Sequence, residues 1–203
     1  MNKIDIPKYS LAEELISSIS HGIGALLGIA ALVLSVVFSN KPIAIVSSAI
    51  YGASLIILYT ISCLYHSFSP NIKAKKVFRV LDHDSIYLLI FGTYMPYLLV
   101  TLGGSKGWIL WGILLFLSIL GITLNSINLE KFKNISLISY ILMGWIVLFA
   151  FNDIRISLGY MGTLYLILGG IMYTIGALFY KIGKKVKYMH SLFHFFVLAG
   201  SIF

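Results

Sequence analysis

Apolar residues run almost unbroken over seven stretches of this chain, at about 16–39, 43–66, 84–102, 107–127, 135–151, 158–180 and 188–203. A strand crossing a membrane alternates apolar and polar positions over about ten residues, whereas a helix needs about twenty apolar residues in a row. The pattern therefore predicts seven transmembrane helices in an all-α bundle. Turn and breaker residues mark the gaps: Ser39-Asn40-Lys41-Pro42, Ser69-Pro70-Asn71, Gly103-Gly104-Ser105-Lys106-Gly107 and Asn152-Asp153. No gap is long enough for a separate domain, so residues 1–203 are expected to form one seven-helix transmembrane domain. Residues 1–15 read as a polar, interfacial lead-in. The last run is short, since sixteen residues from Tyr188 reach only about 24 Å as a helix. The first run follows Glu13 and Glu14 rather than a basic flank, and no soluble domain follows it, so it is expected to stay in the mature protein.

Composition strengthens this picture. The chain is 59% hydrophobic and 11% charged, with a mean hydropathy of +0.96. Soluble domains carry about 25% charged residues, so there is too little polar surface here to face water on all sides. A net charge of +8 raises the question of nucleic acid, but the basic residues sit in short loops between apolar runs, which argues against such a partner. Their distribution sets an orientation instead. One side receives Lys3, Lys8, Lys73, Lys75, Lys76, Arg79, Lys131, Lys133, Lys181, Lys184, Lys185 and Lys187; the other receives only Lys41, Lys106 and Arg155. The richer side is expected to be cytoplasmic, with the N-terminus inside and, after seven spans, the C-terminus outside. The expected location is the cell membrane, with membrane lipids as partners; the residues set no oligomeric state.

Ionisable residues inside membrane spans are costly and mark candidate sites. By the topology above, all five histidines, together with Glu13, Glu14, Asp82 and Asp84, belong to the cytoplasmic leaflet. His190 and His194 are four apart and share one helix face, a spacing that chance alone supplies fairly often. His66 ends the second run at the same depth. Three such imidazoles make a facial tripod suited to zinc, with an open fourth position for water, whereas magnesium and calcium prefer oxygen ligands. Ser62 lies one turn before His66. Asp82 is the candidate general base and Ser62 the candidate partner of the water or a substrate oxygen. Blander assignments stand beside these: His66 as an interfacial helix-end residue, Asp82 or Asp84 as an N-cap of the third helix, and Glu14 with His21 as a structural hydrogen bond. His83 reads as interfacial or as an outer neighbour of the site. The lone Cys63 excludes an internal disulfide and any thiolate-rich metal site.

At these residues the chain resembles the hemolysin III family, the bacterial branch of the progestin and adipoQ receptor group that includes the adiponectin receptors. The resemblance is carried by Glu13-Glu14 with His21-Gly22-Ile23-Gly24, by Ser62-Cys63-Leu64-Tyr65-His66, by Leu81-Asp82-His83 with Gly92-Thr93-Tyr94-Met95-Pro96, and by His190-Ser191-Leu192-Phe193-His194-Phe195. It implies a seven-helix bundle with zinc near the cytoplasmic side, held by His66, His190 and His194, with Asp82 and Ser62 around the bound water. Because the wider superfamily contains ceramidases, it also implies a lipid amide as substrate. Members often carry Asn where this chain has Ser17 and a small neutral residue where it has Asp84, and they usually continue past Gly200-Ser201.

Three functions follow as expectations: a zinc-dependent lipid hydrolase, a non-enzymatic membrane sensor or regulator stapled by structural zinc, and a membrane-permeabilising hemolysin. The last has little physical support, since pore-formers usually begin soluble and show amphipathic segments, while this chain is apolar throughout.

Overall fold

The computed structural model describes residues 4–183 and 185–203. Lys3 and Lys184, two of the charges used for the orientation, lie outside the described residues. Among those residues there is no strand. The chain runs through α1 (Leu11–Val37), α2 (Pro42–Ser67), α3 (Lys73–Met95), a π-helical segment (Pro96–Leu102), α4 (Gly104–Gly144), a 3-10 segment (Ile146–Ala150), α5 (Phe151–Ile182) and α6 (Met189–Ile202).

Local chemistry explains most of these boundaries. Ser10 caps α1 in a capping box: its hydroxyl accepts from Glu13 N at 3.3 Å, and the Glu13 carboxylate accepts from Ser10 N at 2.9 Å. The helix thus begins one turn before the apolar run. Pro42 opens α2 at a position where a missing N–H costs nothing. α3 begins at Lys73 with Ile72 as its N-cap, so Asp82 and Asp84 sit well inside the helix and neither is the cap considered above. The apolar run starts near Asp84, but Lys73, Ala74, Lys75 and Lys76 are good helix formers and extend the helix through polar sequence.

Two long helices double back on themselves. Within α4, Asn128 leaves helical geometry (φ −161°, ψ 88°), and its side-chain oxygen accepts from Lys131 N at 3.1 Å, capping the second arm. Ser136 Oγ then donates to Asn125 Oδ1 at 2.6 Å; in a straight helix these residues would be about 16 Å apart. Within α5 the break falls at Gly159 (φ 67°), a left-handed conformation that suits glycine. Trp145 Nε1 reaches Thr174 Oγ1 at 3.1 Å across that reversal. The turn expected at Asn152-Asp153 is instead helical, because Asp153 is well placed in the first turn of α5; it pairs with Lys106 at 2.5 Å.

Among the described residues, four continuous helical stretches are long and apolar enough to cross a membrane: Leu11–Val37, Pro42–Ser67, Lys73–Leu102 and Gly104–Ile182, with Met189–Ile202 as a shorter apolar helix. Large apolar side chains such as Ile19, Leu26, Phe116, Ile138 and Phe149 face outward, as a lipid-facing surface requires. Inside, Tyr87, Leu98, Leu114, Met143 and Ile154 form one packed cluster, and Leu55, Leu58, Tyr59, Leu89 and Val197 form another. α1 and α2 approach closely because Gly24 and Gly52 carry no side chain: a Cβ at Gly24 would lie 2.6 Å from the Tyr59 ring. α6 packs against α5 and also against α1, which brings the two ends of the chain together around the polar residues.

Candidate metal centre

His66 occupies the last turn of α2, while His190 and His194 occupy the first two turns of α6. One ligand atom from each lies within 4.8 Å of the others, and all three residues are buried. The backbone places α6 with some strain. Tyr188, just before it, is left-handed at φ 66°, a conformation that costs a non-glycine residue about 1 kcal/mol or more. Glu13 holds it there: the carboxylate accepts from Tyr188 N at 2.7 Å, and Ser191 Oγ donates to Glu13 O at 3.3 Å. The same carboxylate closes the Ser10 capping box, so the first turn of α1 sets the first turn of α6.

Each histidine has a different neighbour. His66 Nδ1 lies 2.6 Å from Glu14 Oε2, and Glu14 Oε1 receives Lys75 Nζ at 2.6 Å. A carboxylate paired with an ammonium accepts rather than donates, so Nδ1 carries a proton, and in the neutral imidazole Nε2 then keeps its lone pair. That Nε2 has no hydrogen-bond partner and is buried. His194 Nδ1 lies 2.8 Å from His21 Nε2, while its Nε2 faces His190 Nε2 at 3.1 Å. His190 is stacked on Tyr9 at 4.5 Å and 10°, and its Nδ1 is unpartnered.

A buried polar nitrogen without a partner is costly, and a cation shared among the three rings would relieve that cost at His66 Nε2. Tetrahedral zinc at about 2.0 Å from nitrogen sets its ligands about 3.3 Å apart; His190 Nε2 and His194 Nε2, 3.1 Å apart, are close to that spacing, and the His66 ligand atom lies within 4.8 Å of both. All-imidazole donors suit zinc and the later transition metals better than magnesium or calcium. The residues present therefore fit a metal ion.

Of the three histidines, His194 opens onto an apolar cavity of about 470 Å³ whose wall also includes His21, Ser62, Asp82, Val197 and Phe203. Ser62 Oγ is buried beside the Asp82 carboxyl group. Asp82 lines the cavity from α3. His83 also lines it, edge-on to Tyr180 at 5.9 Å. Asp84 engages α4 instead, accepting from Ser126 Oγ at 3.2 Å. Glu14 pairs with His66 rather than with His21, contrary to the hydrogen bond considered from their seven-residue spacing; both carboxylate oxygens are taken up by α2 and α3. Ser17 meets Ser191 at 3.3 Å between α1 and α6. Arg79, Glu130 and Lys133 form an ion-pair chain in which Arg79 Nη2 lies 2.8 Å and Lys133 Nζ 2.9 Å from Glu130.

Sequence reasoning did not find Tyr9 or Lys75. The Ser10-Leu11-Ala12-Glu13 capping box is a local signal that starts α1 at Leu11 and so keeps Tyr9 close to the helix, but nothing local shows that its ring meets His190. In the sequence, Lys75 reads only as one of several loop charges.

These features define an α-helical membrane protein with a buried histidine cluster, one member of which borders an apolar cavity. The chain belongs to the family described as Haemolysin-III related, which it matches over residues 9–203. It is 41% identical to Hemolysin-3 of Bacillus cereus over 93% of this chain and 87% of that protein. It is 39% identical to the Hemolysin-3 homolog of Bacillus subtilis (strain 168), over 95% and 91%. Monocyte to macrophage differentiation factor of Homo sapiens is a more distant relative, 26% identical over 77% of this chain and 66% of that protein.

Proposed function

We propose that this protein is a multi-pass cell-membrane hydrolase that binds zinc through His66, His190 and His194 and cleaves an amide bond in a membrane lipid. The observation that carries this proposal is a cluster of three buried imidazoles, one of which, His194, shares the wall of an apolar cavity with Ser62 and Asp82. When bound, zinc supplies Lewis acidity towards a carbonyl group and water. Asp82 takes a proton from the attacking water and returns it to the leaving amine. Ser62 donates its hydroxyl to the carbonyl oxygen as charge develops there. Leu58, Phe193 and Val197 along the cavity hold the acyl chain and keep bulk water from the reacting bond.

In this proposal the chain is a single seven-span unit. The reversals at Asn128 and Gly159 divide Gly104–Ile182 into three spans, which join α1, α2, the Lys73–Leu102 span and α6. The site shares its end of the bundle with Lys75, Arg79 and Lys133, and the excess of Lys and Arg there supports a cytoplasmic face with the N-terminus inside. The test is zinc content and ceramide hydrolysis by the purified protein, with Asp82→Ala retaining zinc and losing turnover. Stoichiometric zinc without hydrolysis across a panel of lipid amides would refute the enzymatic assignment.

A second possibility is a sensor or regulator in which zinc is structural, favoured by ligands drawn from α2 and α6, helices far apart in sequence. Zinc removal would then lower the melting temperature while lipid turnover stays absent. The name Hemolysin-3 of the Bacillus cereus relative adds permeabilisation as a third. Dye release from liposomes by wild type and not by His190→Ala would support it.

A further inference from the structure

Two α1 side chains touch the histidine cluster without belonging to the proposed ligand set. Glu14 Oε2 is 2.6 Å from His66 Nδ1, and His21 Nε2 is 2.8 Å from His194 Nδ1. Glu14 and His21 are seven residues apart, two helical turns, so one face of α1 presents both towards α2 and α6. Each meets the δ nitrogen of its partner. The ε nitrogens are left for other work: His66 Nε2 is unpartnered, and His194 Nε2 turns towards His190.

We propose that α1 is the orienting helix of the metal centre, with Glu14 and His21 as positioning residues that fix the tautomer and rotation of His66 and His194 without contacting the metal themselves. This inference rests on the metal-centre assignment above. A metal-binding imidazole must offer one nitrogen lone pair, and the hydrogen bond made by its other nitrogen selects which one. Glu14 does this as an anion, which also makes the His66 ring a stronger donor. Lys75 Nζ, itself fully buried, grips the second carboxylate oxygen at 2.6 Å and fixes the carboxylate plane. His21 does it as a neutral acceptor, and its own ring is set edge-on against Tyr59 at 5.0 Å and 89°. His190 has no such partner. Its ring is held by stacking on Tyr9, which restricts its tilt but selects no tautomer. The three histidines are therefore supported unequally, and loss of Glu14 should matter more than loss of His21.

The alternative is that Glu14 only ties α1 to α2 and α3 through its ion pair with Lys75. Metal affinity separates the two. Wild type, Glu14→Gln, Glu14→Ala and His21→Phe, purified in detergent, are compared by zinc competition with a chromophoric chelator, by the visible absorption of the cobalt(II)-substituted protein, and by melting of the metal-free form. Outer partners of metal-bound histidines change affinity about 10–100-fold. Glu14→Gln keeps an acceptor for Nδ1 and should lose about tenfold, Glu14→Ala about a hundredfold, and His21→Phe about tenfold, with the cobalt bands shifted in each. Unchanged affinity and unchanged bands in folded Glu14→Gln and His21→Phe would overturn the inference, even if their metal-free forms melt earlier. If Glu14→Ala fails to fold, those two variants still decide. A wild-type protein that holds neither zinc nor cobalt would overturn the metal centre itself, and this inference with it.

Discussion

Lys75 offers a sharp energetic test of the polar end of the bundle. Its side chain is fully buried, its ammonium lies 2.6 Å from Glu14 Oε1, and the Glu14 side chain is 13% exposed. At that distance, and at an effective dielectric of about 20, the gross attraction is about 6 kcal/mol; desolvation of both ions offsets much of it. Removing one partner is a different matter, because the other charge stays behind in an apolar setting. Lys75→Met should therefore cost about 3–5 kcal/mol, including a smaller loss from the ammonium over the Tyr65 ring at 4.8 Å. Glu14→Gln should cost a similar amount by stranding the ammonium. The double variant strands no charge, so it should be more stable than the sum of the singles implies, by about 2 kcal/mol or more. The assay is reversible unfolding of the metal-free protein in mixed micelles by titration with a denaturing detergent. Additivity within about 0.5 kcal/mol would refute the ion pair as an energetic unit and leave it a mere proximity.

Further outcomes follow from other parts of the molecule. Chelation of the wild type should lower its melting temperature, since a ligand at about a hundred times its Kd stabilises the folded state by about 2.7 kcal/mol; in His190→Ala or His194→Ala, chelation should change nothing, as differential scanning fluorimetry would show. Gly24→Leu should destabilise by about 1–3 kcal/mol because the added side chain meets the Tyr59 ring, and intact melting would refute the close α1–α2 contact. Ser10→Ala removes the α1 cap and should cost about 1 kcal/mol, measured by the same unfolding titration, with Ser10→Asp restoring most of it.

The all-helical, membrane-crossing character of the chain is legible in the sequence because a run of apolar residues long enough to cross a bilayer has few other uses. The ends of the helices are less so. The apolar run of α3 starts near Asp84, but the helix starts at Lys73, since polarity marks where lipid stops and says little about where backbone hydrogen bonding stops. The reversal at Asn128 fits a gap of Asn and Lys residues. The reversal at Gly159 lies inside what reads as apolar sequence, and Asn152-Asp153 draws the eye away from it. The proximity of His66, His190 and His194 was legible because loop charges assign all three to one end and their helix positions assign them to one depth. Their supporting contacts were not, because Glu14 with His66 and Glu13 with Tyr188 join residues 52 and 175 positions apart, and no local pattern records such pairings. Asp82 was legible only as an acid at the right depth; that it shares a cavity wall with Ser62 and His194 comes from the packing of α2, α3 and α6.

The clasp between Glu13 and the start of α6 also bears on the order of assembly. Tyr9, Glu13, Glu14 and His21 leave the ribosome first, whereas Tyr188, His190 and His194 leave more than 160 residues later. Until then α1 can pair with α2, and Glu14 can meet His66 and Lys75, but two of the three imidazoles do not yet exist. Contacts this distant in sequence form late, after the loops between them have closed. A finished histidine cluster is thus a record that the last helix has inserted and found the first, and a chain stalled before α6 carries the orienting side chains with little to orient.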